Sequence, residues 1–247
     1  QSDILYAWRN FECSFFDFYY MKKFIHTTDF ENFQIPVRQI IDGKRVYITP
    51  AGSVYPSITT ILGSQPKPGL VEWRKRVGEE EANKVMKESS SLGTAVHDLC
   101  EKYLYNYELK SDNDEVVSVF NRLRFLLGNI NNIIGLEIPL YSDQLKVAGT
   151  TDCIAEYNGV LSVIDFKTSR KPKKEEWIED YYIQAFFYSM AFFEMTGAMP
   201  EQIVILIAVR NSFEVQVFKK SMSEVDYYID KLINIMKKEP QIVHQIT

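Results

Sequence analysis

Residues Lys146 to Arg170, KVAGTTDCIAEYNGVLSVIDFKTSR, decide the fold. Two runs rich in β-branched and apolar residues flank Asn158-Gly159. That dipeptide tolerates the positive φ that a type I′ hairpin turn demands at both central positions. The turn sets Tyr157 opposite Val160, and counting back along the strands sets Asp152 opposite Asp165. Lys167 lies two residues on and shares their face, because side chains alternate along a strand. Leu161 and Val163 share it too, so the face is predicted to be partly buried.

Opposed carboxylates repel each other, and burial raises the cost. A plain ion pair with Lys167 compensates. So does a divalent cation held between the acids, since Mg²⁺ and Mn²⁺ suit oxygen-rich sites and an ammonium nearby suits a phosphate. The hairpin alone does not choose between the two.

The surrounding residues add a resemblance. Gly149-Thr150-Thr151-Asp152 and Val163-Ile164-Asp165-Phe166-Lys167-Thr168-Ser169 resemble the core of the PD-(D/E)XK nucleases, in their RecB-type branch. Thr151 stands where some members have proline. Two further pieces accompany the hairpin in the family, and both have counterparts here. Tyr182-Ile183-Gln184-Ala185-Phe186-Phe187-Tyr188 resembles the Gln-x-x-x-Tyr helix, and Gly93 to Glu101 resembles the Gly-x-x-x-His-x-x-x-Glu helix.

The resemblance implies an α/β restriction-endonuclease-like fold, a central mixed sheet flanked by helices. It also implies a metal site for Mg²⁺ or Mn²⁺ built from His97, Asp152, Asp165 and the backbone carbonyl of Phe166. Lys167 would orient the attacking water or neutralise developing charge, and Gln184, with Tyr188 beside it, would touch the scissile phosphate or order the water. Glu101 and Glu137 are expected in supporting roles. The products would be a 5′-phosphate and a 3′-hydroxyl.

The layout around Tyr55-Pro56-Ser57, Glu72-Trp73-Arg74 and Val77-Gly78-Glu79 is similar to single-domain exonucleases of the phage type and of the mitochondrial genome maintenance exonuclease type. Those relatives act on single-stranded DNA ends, so a single-stranded DNA exonuclease in replication, repair or recombination is the expectation, with proteins of those processes as partners. A flap- or branch-cutting endonuclease on the same fold is one rival, and cutting of a circular strand would reveal it. A catalytically inactive DNA-binding subunit is another, although a dead copy has no chemical reason to keep two repelling acids opposed. An acidic interaction protein fits the charge but leaves the motifs unexplained.

The chain has 247 residues, enough for one substantial core, with a 46% hydrophobic and 25% charged composition ordinary for a soluble globular protein. Its net charge of −5 argues against general electrostatic binding of DNA. Cys13, Cys100 and Cys153 are odd in number and scattered, which gives no disulfide framework and a reducing compartment. Four cysteines hold the iron–sulfur cluster of some RecB-type nucleases, so no cluster is expected. No apolar run reaches membrane-spanning length, no secretory signal is seen, and a cytoplasmic location in a bacterial or phage-infected cell is expected. No Gly-x-x-x-x-Gly-Lys-Ser/Thr phosphate loop is present. Met21-Lys22-Lys23 reads like a start, which leaves residues 1–20 as an extension and 21–247 as a single nuclease domain.

Along the rest of the chain, Asp42-Gly43 predicts a hairpin with Ile40 opposite Arg45. Ser57 is placed to cap a short helix through Leu62. A helix from Leu70 to about Lys87 is expected, with Leu70, Trp73, Val77 and Val85 on its apolar side, and its Arg74 and Arg76 are candidate phosphate contacts. Glu88-Ser89-Ser90-Ser91 reads as a linker to the His97 helix. Further helices are expected over 115–130, 177–195 and 224–238, with strands over 134–141, 203–209 and 213–218. After Lys167, Thr168-Ser169-Arg170-Lys171-Pro172-Lys173-Lys174 leaves the catalytic strand as a basic loop. A charge run is usually a solvated face; this one lies where a phosphate backbone would pass, so Thr168, Ser169, Arg170, Lys171, Lys173 and Lys174 are candidate DNA contacts.

Overall fold

The computed structural model describes residues 22–27 and 33–238, so the expected extension over residues 1–20 lies outside the described residues. A five-stranded sheet in the order β4-β5-β6-β7-β8 organises the chain. Its strands are β4 (Ile130–Ser142), β5 (Val147–Tyr157), β6 (Val160–Ser169), β7 (Gln202–Val209) and β8 (Val215–Ser221). The pair β6/β7 is parallel and the other neighbours are antiparallel, so the sheet is mixed. A parallel pair needs a crossover. Helix α5 (Glu179–Thr196) supplies it, ending at Gly197 with φ +77.

Both faces of the sheet are covered. Even-numbered residues of β6, such as Ile164 and Phe166, pack with Val96 and Leu99 of α3 (Glu79–Leu104) and with Phe120 and Leu123 of α4 (Asp114–Leu127). Val163 faces the other way, against Ile61 of α1 (Ile58–Gly63), Ile183 and Phe187 of α5, and Leu232 of α6 (Val225–Lys238). Strand β7, QIVILIAV, is buried from Ile203 to Val209, as a strand covered on both faces must be. A smaller sheet of β1 (Val37–Ile41), β2 (Lys44–Ile48) and β3 (Val54–Pro56) packs beside β5, with Ile40 opposite Arg45 as the turn residues require. The expectation of an α/β core with a mixed, helix-flanked sheet therefore holds.

Several local expectations differ. The helix break lies at Gly78, φ +87, between α2 (Pro68–Val77) and α3, and α3 runs without interruption through Ser89–Ser91. Positive φ stops a helix, whereas serine costs an interior turn only a fraction of a kcal/mol, about 0.5. Leu92, Val96 and Leu99 of the same helix are buried and hold it together. Helix α2 buries none of its residues, contrary to the apolar side expected for it. Ser57 sits at the N-cap of α1 without a side-chain cap bond, its hydroxyl instead pairing with Thr59 Oγ1 at 2.8 Å. Helix α4 ends at Leu127, and β4 begins at Ile130 and carries a register shift between Asn131 and Gly135. Phe213, expected in the last strand, lies before it and is 92% exposed.

Candidate active site

The hairpin turn is the one the sequence calls for, with φ 53 at Asn158 and 79 at Gly159. Pairing runs from Tyr157↔Val160 to Cys153↔Ile164. Asp152 and Asp165 occupy the next opposed position in that register, where Asp152 Oδ2 accepts a hydrogen bond from the Phe166 N–H at 2.7 Å. This bond fixes the Asp152 carboxylate against β6.

The two acids have different partners. Asp165 is 2% exposed, and its oxygens lie 2.6 and 2.5 Å from the Lys167 ammonium. Asp152 turns to the α3 side, where His97 Nδ1 lies 3.6 Å from Oδ2. Glu137 completes this side: single ligand atoms of His97, Glu137 and Asp152 all lie within 4.8 Å of one another. Glu137 stands between Leu136↔Cys153 and Ile138↔Thr151 in the β4/β5 register, hence across from Asp152. Its φ of +50 is a conformation that non-glycine residues rarely adopt and that costs on the order of 1–3 kcal/mol. The ion pair foreseen for the opposed acids is present at Asp165, whereas the cation-sized cluster lies to one side of the pair, joining Asp152 to His97 and Glu137 and leaving Asp165 outside it.

The electrostatics follow from crowding. Burial, opposed in part by Lys167 and reinforced by Asp152, pushes the Asp165 carboxyl up to about 6. Glu137 is raised to about 7 by the protein packed around its carboxylate, then by the charges of Asp152 and Glu101. Burial works against the Lys167 ammonium, but Asp165 and Asp152 outweigh it and hold its pKa above the usual lysine range. One imidazole and two carboxylates form a donor set suited to a hard or borderline divalent ion. A cation there would relieve the repulsion that raises Glu137, so the residues fit the metal that the fold family uses.

Gln184 and Tyr188 share a face of α5, and Gln184 Nε2 donates to the Tyr188 hydroxyl at 3.0 Å. Tyr188 is 1% exposed and packs against Gly149, where an added Cβ would meet its ring at 2.8 Å. Its hydroxyl therefore holds Gln184 rather than reaching solvent. Phe166 sets its ring edge-on to His97, with centroids 6.2 Å apart at 75°. Glu101 lies one turn beyond His97, outside the three-group cluster, its carboxyl raised by burial and then by Asp98. Cys100 and Cys153 are buried and free, and burial, followed by the Asp152 charge, pushes both thiols up.

The basic candidates divide. Arg170, Lys171 and Lys174 are exposed, and Lys174 lies 5.3 Å from the Trp177 ring centroid. The loop is pinned at Ser169, whose hydroxyl donates to the Lys171 carbonyl at 2.7 Å, and at Lys173, whose backbone N–H and carbonyl both bond the Gln216 amide. Thr168 Oγ1 lies 3.7 Å from where a Gly93 Cβ would be, so this strand end and α3 approach closely. Arg74 is engaged by Glu79 and by Asn83 Oδ1 at 2.7 Å, and Arg76 is exposed on the same helix. Glu79 precedes His97 by 18 helical residues, or about 27 Å at 1.5 Å each. The other end of α2 lies nearer the acids, since its N-cap Lys67 pairs with Asp180 at 3.1 Å, beside the Tyr181 that neighbours Lys167.

Two neighbours were not foreseen. Lys167 Nζ lies 5.2 Å from the Tyr181 ring centroid, and Tyr181 stands three residues before Gln184, a helical spacing that could have pointed to it. Arg38 of β1 faces Tyr47, whose hydroxyl pairs with Thr150 Oγ1 at 2.9 Å, and its charge acts on Glu137 to lower that residue's pKa in part. Nothing in the local sequence of β1 marks Arg38.

Comparison with known proteins places these residues in a family. The model of the PD-(D/E)XK nuclease superfamily matches residues 72–239. Mitochondrial genome maintenance exonuclease 1 of Homo sapiens is 31% identical over 132 residues, 49% of this chain and 38% of that protein. The protein of the same name in Mus musculus is 31% identical over 128 residues, 48% of this chain and 38% of its own length. That of Xenopus tropicalis is 30% identical over 134 residues, covering 50% and 38%. The match thus spans little more than a third of each relative. The family match, by contrast, runs from α2 to the end of α6 and encloses all the residues that hold the acid cluster and the Lys167 pair. On that ground the chain belongs to the PD-(D/E)XK nuclease superfamily.

Proposed function

We propose that this nuclease is a divalent-metal-dependent exonuclease that hydrolyses single-stranded DNA from its ends, leaving 5′-phosphates, in DNA replication, repair or recombination. The observation that carries the reading is the division of the opposed acids, with Asp165 paired to Lys167 and Asp152 joined to His97 and Glu137. The exonuclease names of the matched relatives support end-wise action.

Asp152, His97 and Glu137 would hold the ion, Mg²⁺ or Mn²⁺, with Asp165 and the Phe166 carbonyl completing its sphere. Bound there, the ion supplies Lewis acidity toward a phosphate oxygen and a lowered pKa for water. The chain's own residues do the rest. Lys167 keeps its proton and offers it to the non-bridging oxygen or the water, because Asp165 and Asp152 favour its charged form. Gln184, held by Tyr188, orients the scissile phosphate. Arg170 and Lys171, exposed on the loop that leaves β6, take the neighbouring phosphates. The free, buried Cys100 and Cys153 fit a reducing compartment such as the cytoplasm. Among the described residues no helix is long and apolar enough to cross a membrane.

The test uses end-labelled linear and circular single-stranded DNA, each with Mg²⁺, with Mn²⁺ and with EDTA, beside an Asp165→Asn control. Metal- and Asp165-dependent loss of the linear strand alone supports the exonuclease, and the labelled end gives its polarity. Cutting of the circle would replace it with an endonuclease.

A further inference from the structure

We propose that the stacked rings of His26, Tyr105 and Tyr107 form a platform on which bases of the single-stranded substrate stack beside the acids. The inference rests on the single-strand reading above and identifies what would grip the strand.

Position comes first. His97, Glu101 and Tyr105 are spaced four apart and continue one stripe of α3, with Tyr105 at its C-cap. Eight residues carry the stripe about 12 Å from the metal-binding histidine. The Tyr105 hydroxyl still feels the acids, its pKa raised by burial and then by Glu101, Tyr107, Cys153 and Glu137.

The stack itself is built rather than incidental. His26 and Tyr105 have ring centroids 5.3 Å apart with planes 3° from parallel. Tyr105 and Tyr107 follow at 5.4 Å and 19°. These are offset-stacked geometries. Asn106, with φ 62, reverses the chain between the two tyrosines, and its side chain bonds both the N–H and the carbonyl of Phe24, at 2.8 and 3.1 Å. That clamp, with the His26 Nε2 bond to the Leu104 carbonyl at 3.0 Å and the Thr27 N–H bond to the Ile133 carbonyl at 2.9 Å, fixes His26 over Tyr105.

Only the inner ring of the stack, Tyr105, packs against the core. Tyr107 is 63% exposed, His26 is exposed and Tyr105 is half-buried. Tyr105 is stacked on both neighbours, so the stack anchors the segment of His26, while the outer ring of Tyr107 is left open to water. Aromatic faces receive bases of any sequence, which suits an enzyme that must work along a strand without reading it. Paired bases present no free face, so such a platform also favours single strands over duplex.

The test is binding of a fluorescent oligodeoxythymidine in EDTA, read by anisotropy, together with an abasic strand of equal length. Tyr107→Ala should weaken binding to the thymidine strand roughly fivefold to a hundredfold, and Tyr107→Phe should bind like the wild type. On the abasic strand Tyr107→Ala and wild type should be equal, because only the bases have been removed. Equal thymidine binding by wild type and Tyr107→Ala overturns the platform, as does a loss of the same size on both strands. Thermal melting of Tyr107→Ala at the wild-type temperature shows that the variant is folded, so that a loss of the same size on both strands counts against the platform. Failure of the wild type to bind or cleave single-stranded DNA would instead overturn the proposed function, and the platform with it.

Discussion

Gly149→Ala is the substitution whose cost is most directly fixed by the structure. An added Cβ would lie 2.8 Å from Ile58 Cγ2, 2.8 Å from Tyr188 Cε1 and 3.0 Å from the Tyr188 hydroxyl oxygen. Carbon pairs rest at about 3.5–4.0 Å, so each neighbour must give by close to an ångström. Neither can do so freely, since Ile58 is 0% and Tyr188 1% exposed. Overpacking of this kind costs about 1–3 kcal/mol. For a chain of this size that lowers Tm by roughly 2–12 °C. The activity effect is separate, because the displaced hydroxyl is the one that holds Gln184. Single-turnover cleavage should slow, and Tyr188→Phe, which removes the bond but keeps the ring, should slow it while melting closer to the wild type. Tyr188→Ala opens the space that the added methyl needs, so the double variant should be more stable than the sum of the two singles. A Gly149→Ala protein that melts within about 1 °C of the wild type and cleaves at the same rate would refute the close approach and the coupling built on it.

Other expectations concern charge. Lys167→Met should abolish cleavage and, without metal, destabilise the protein more at pH 8 than at pH 5, because Asp165 loses its cation and escapes the penalty only by protonating; urea unfolding at the two pH values decides it, and equal losses would contradict the pairing. Burial, with the charge of Asp152 beside each, pushes the Asp165 and Glu137 carboxyls up from 3.8 and 4.5 to about 6 and about 7. The folded state therefore holds protons that the unfolded chain has already released, and metal-free stability should fall as pH rises from about 4 to 7. Glu137→Gln should flatten the upper part of that fall in denaturant titrations, and a profile identical to the wild type would clear Glu137 of the role. Replacing Arg170 and Lys171 by alanine should lower the salt dependence of single-strand binding by about 0.7 per lost phosphate contact, and an unchanged slope would take the loop off the DNA path.

How much of this was legible depended on whether the controlling interaction was local. The Asn158-Gly159 turn fixes its own register through φ, so the opposition of Asp152 and Asp165, and Lys167 beside them, followed from counting. Gln184 and Tyr188 share a helix face by spacing alone. The fate of each acid was not legible, because the division depends on His97 from α3 and Glu137 from β4 meeting Asp152 across the sheet. Glu137 gave no sign in sequence that its backbone would turn to φ +50. The supposed linker at Ser89–Ser91 failed for a similar reason: serine weakens a helix slightly, and burial of its neighbours decides. Gly78 was the stronger signal, since only its backbone takes the observed conformation without strain. The His26, Tyr105 and Tyr107 stack joins segments some eighty residues apart, beyond any local pattern.

The central claim, that His97, Glu137 and Asp152 are the metal centre of this nuclease, is tested most directly by calorimetric titration with Mn²⁺ of the metal-free wild type and of Asp152→Asn. The account predicts saturable binding by the wild type, tighter at pH 8 than at pH 6 as the Glu137 proton is displaced, and its loss in the variant. Binding that Asp152→Asn retains at full strength would place the ion elsewhere and contradict the account.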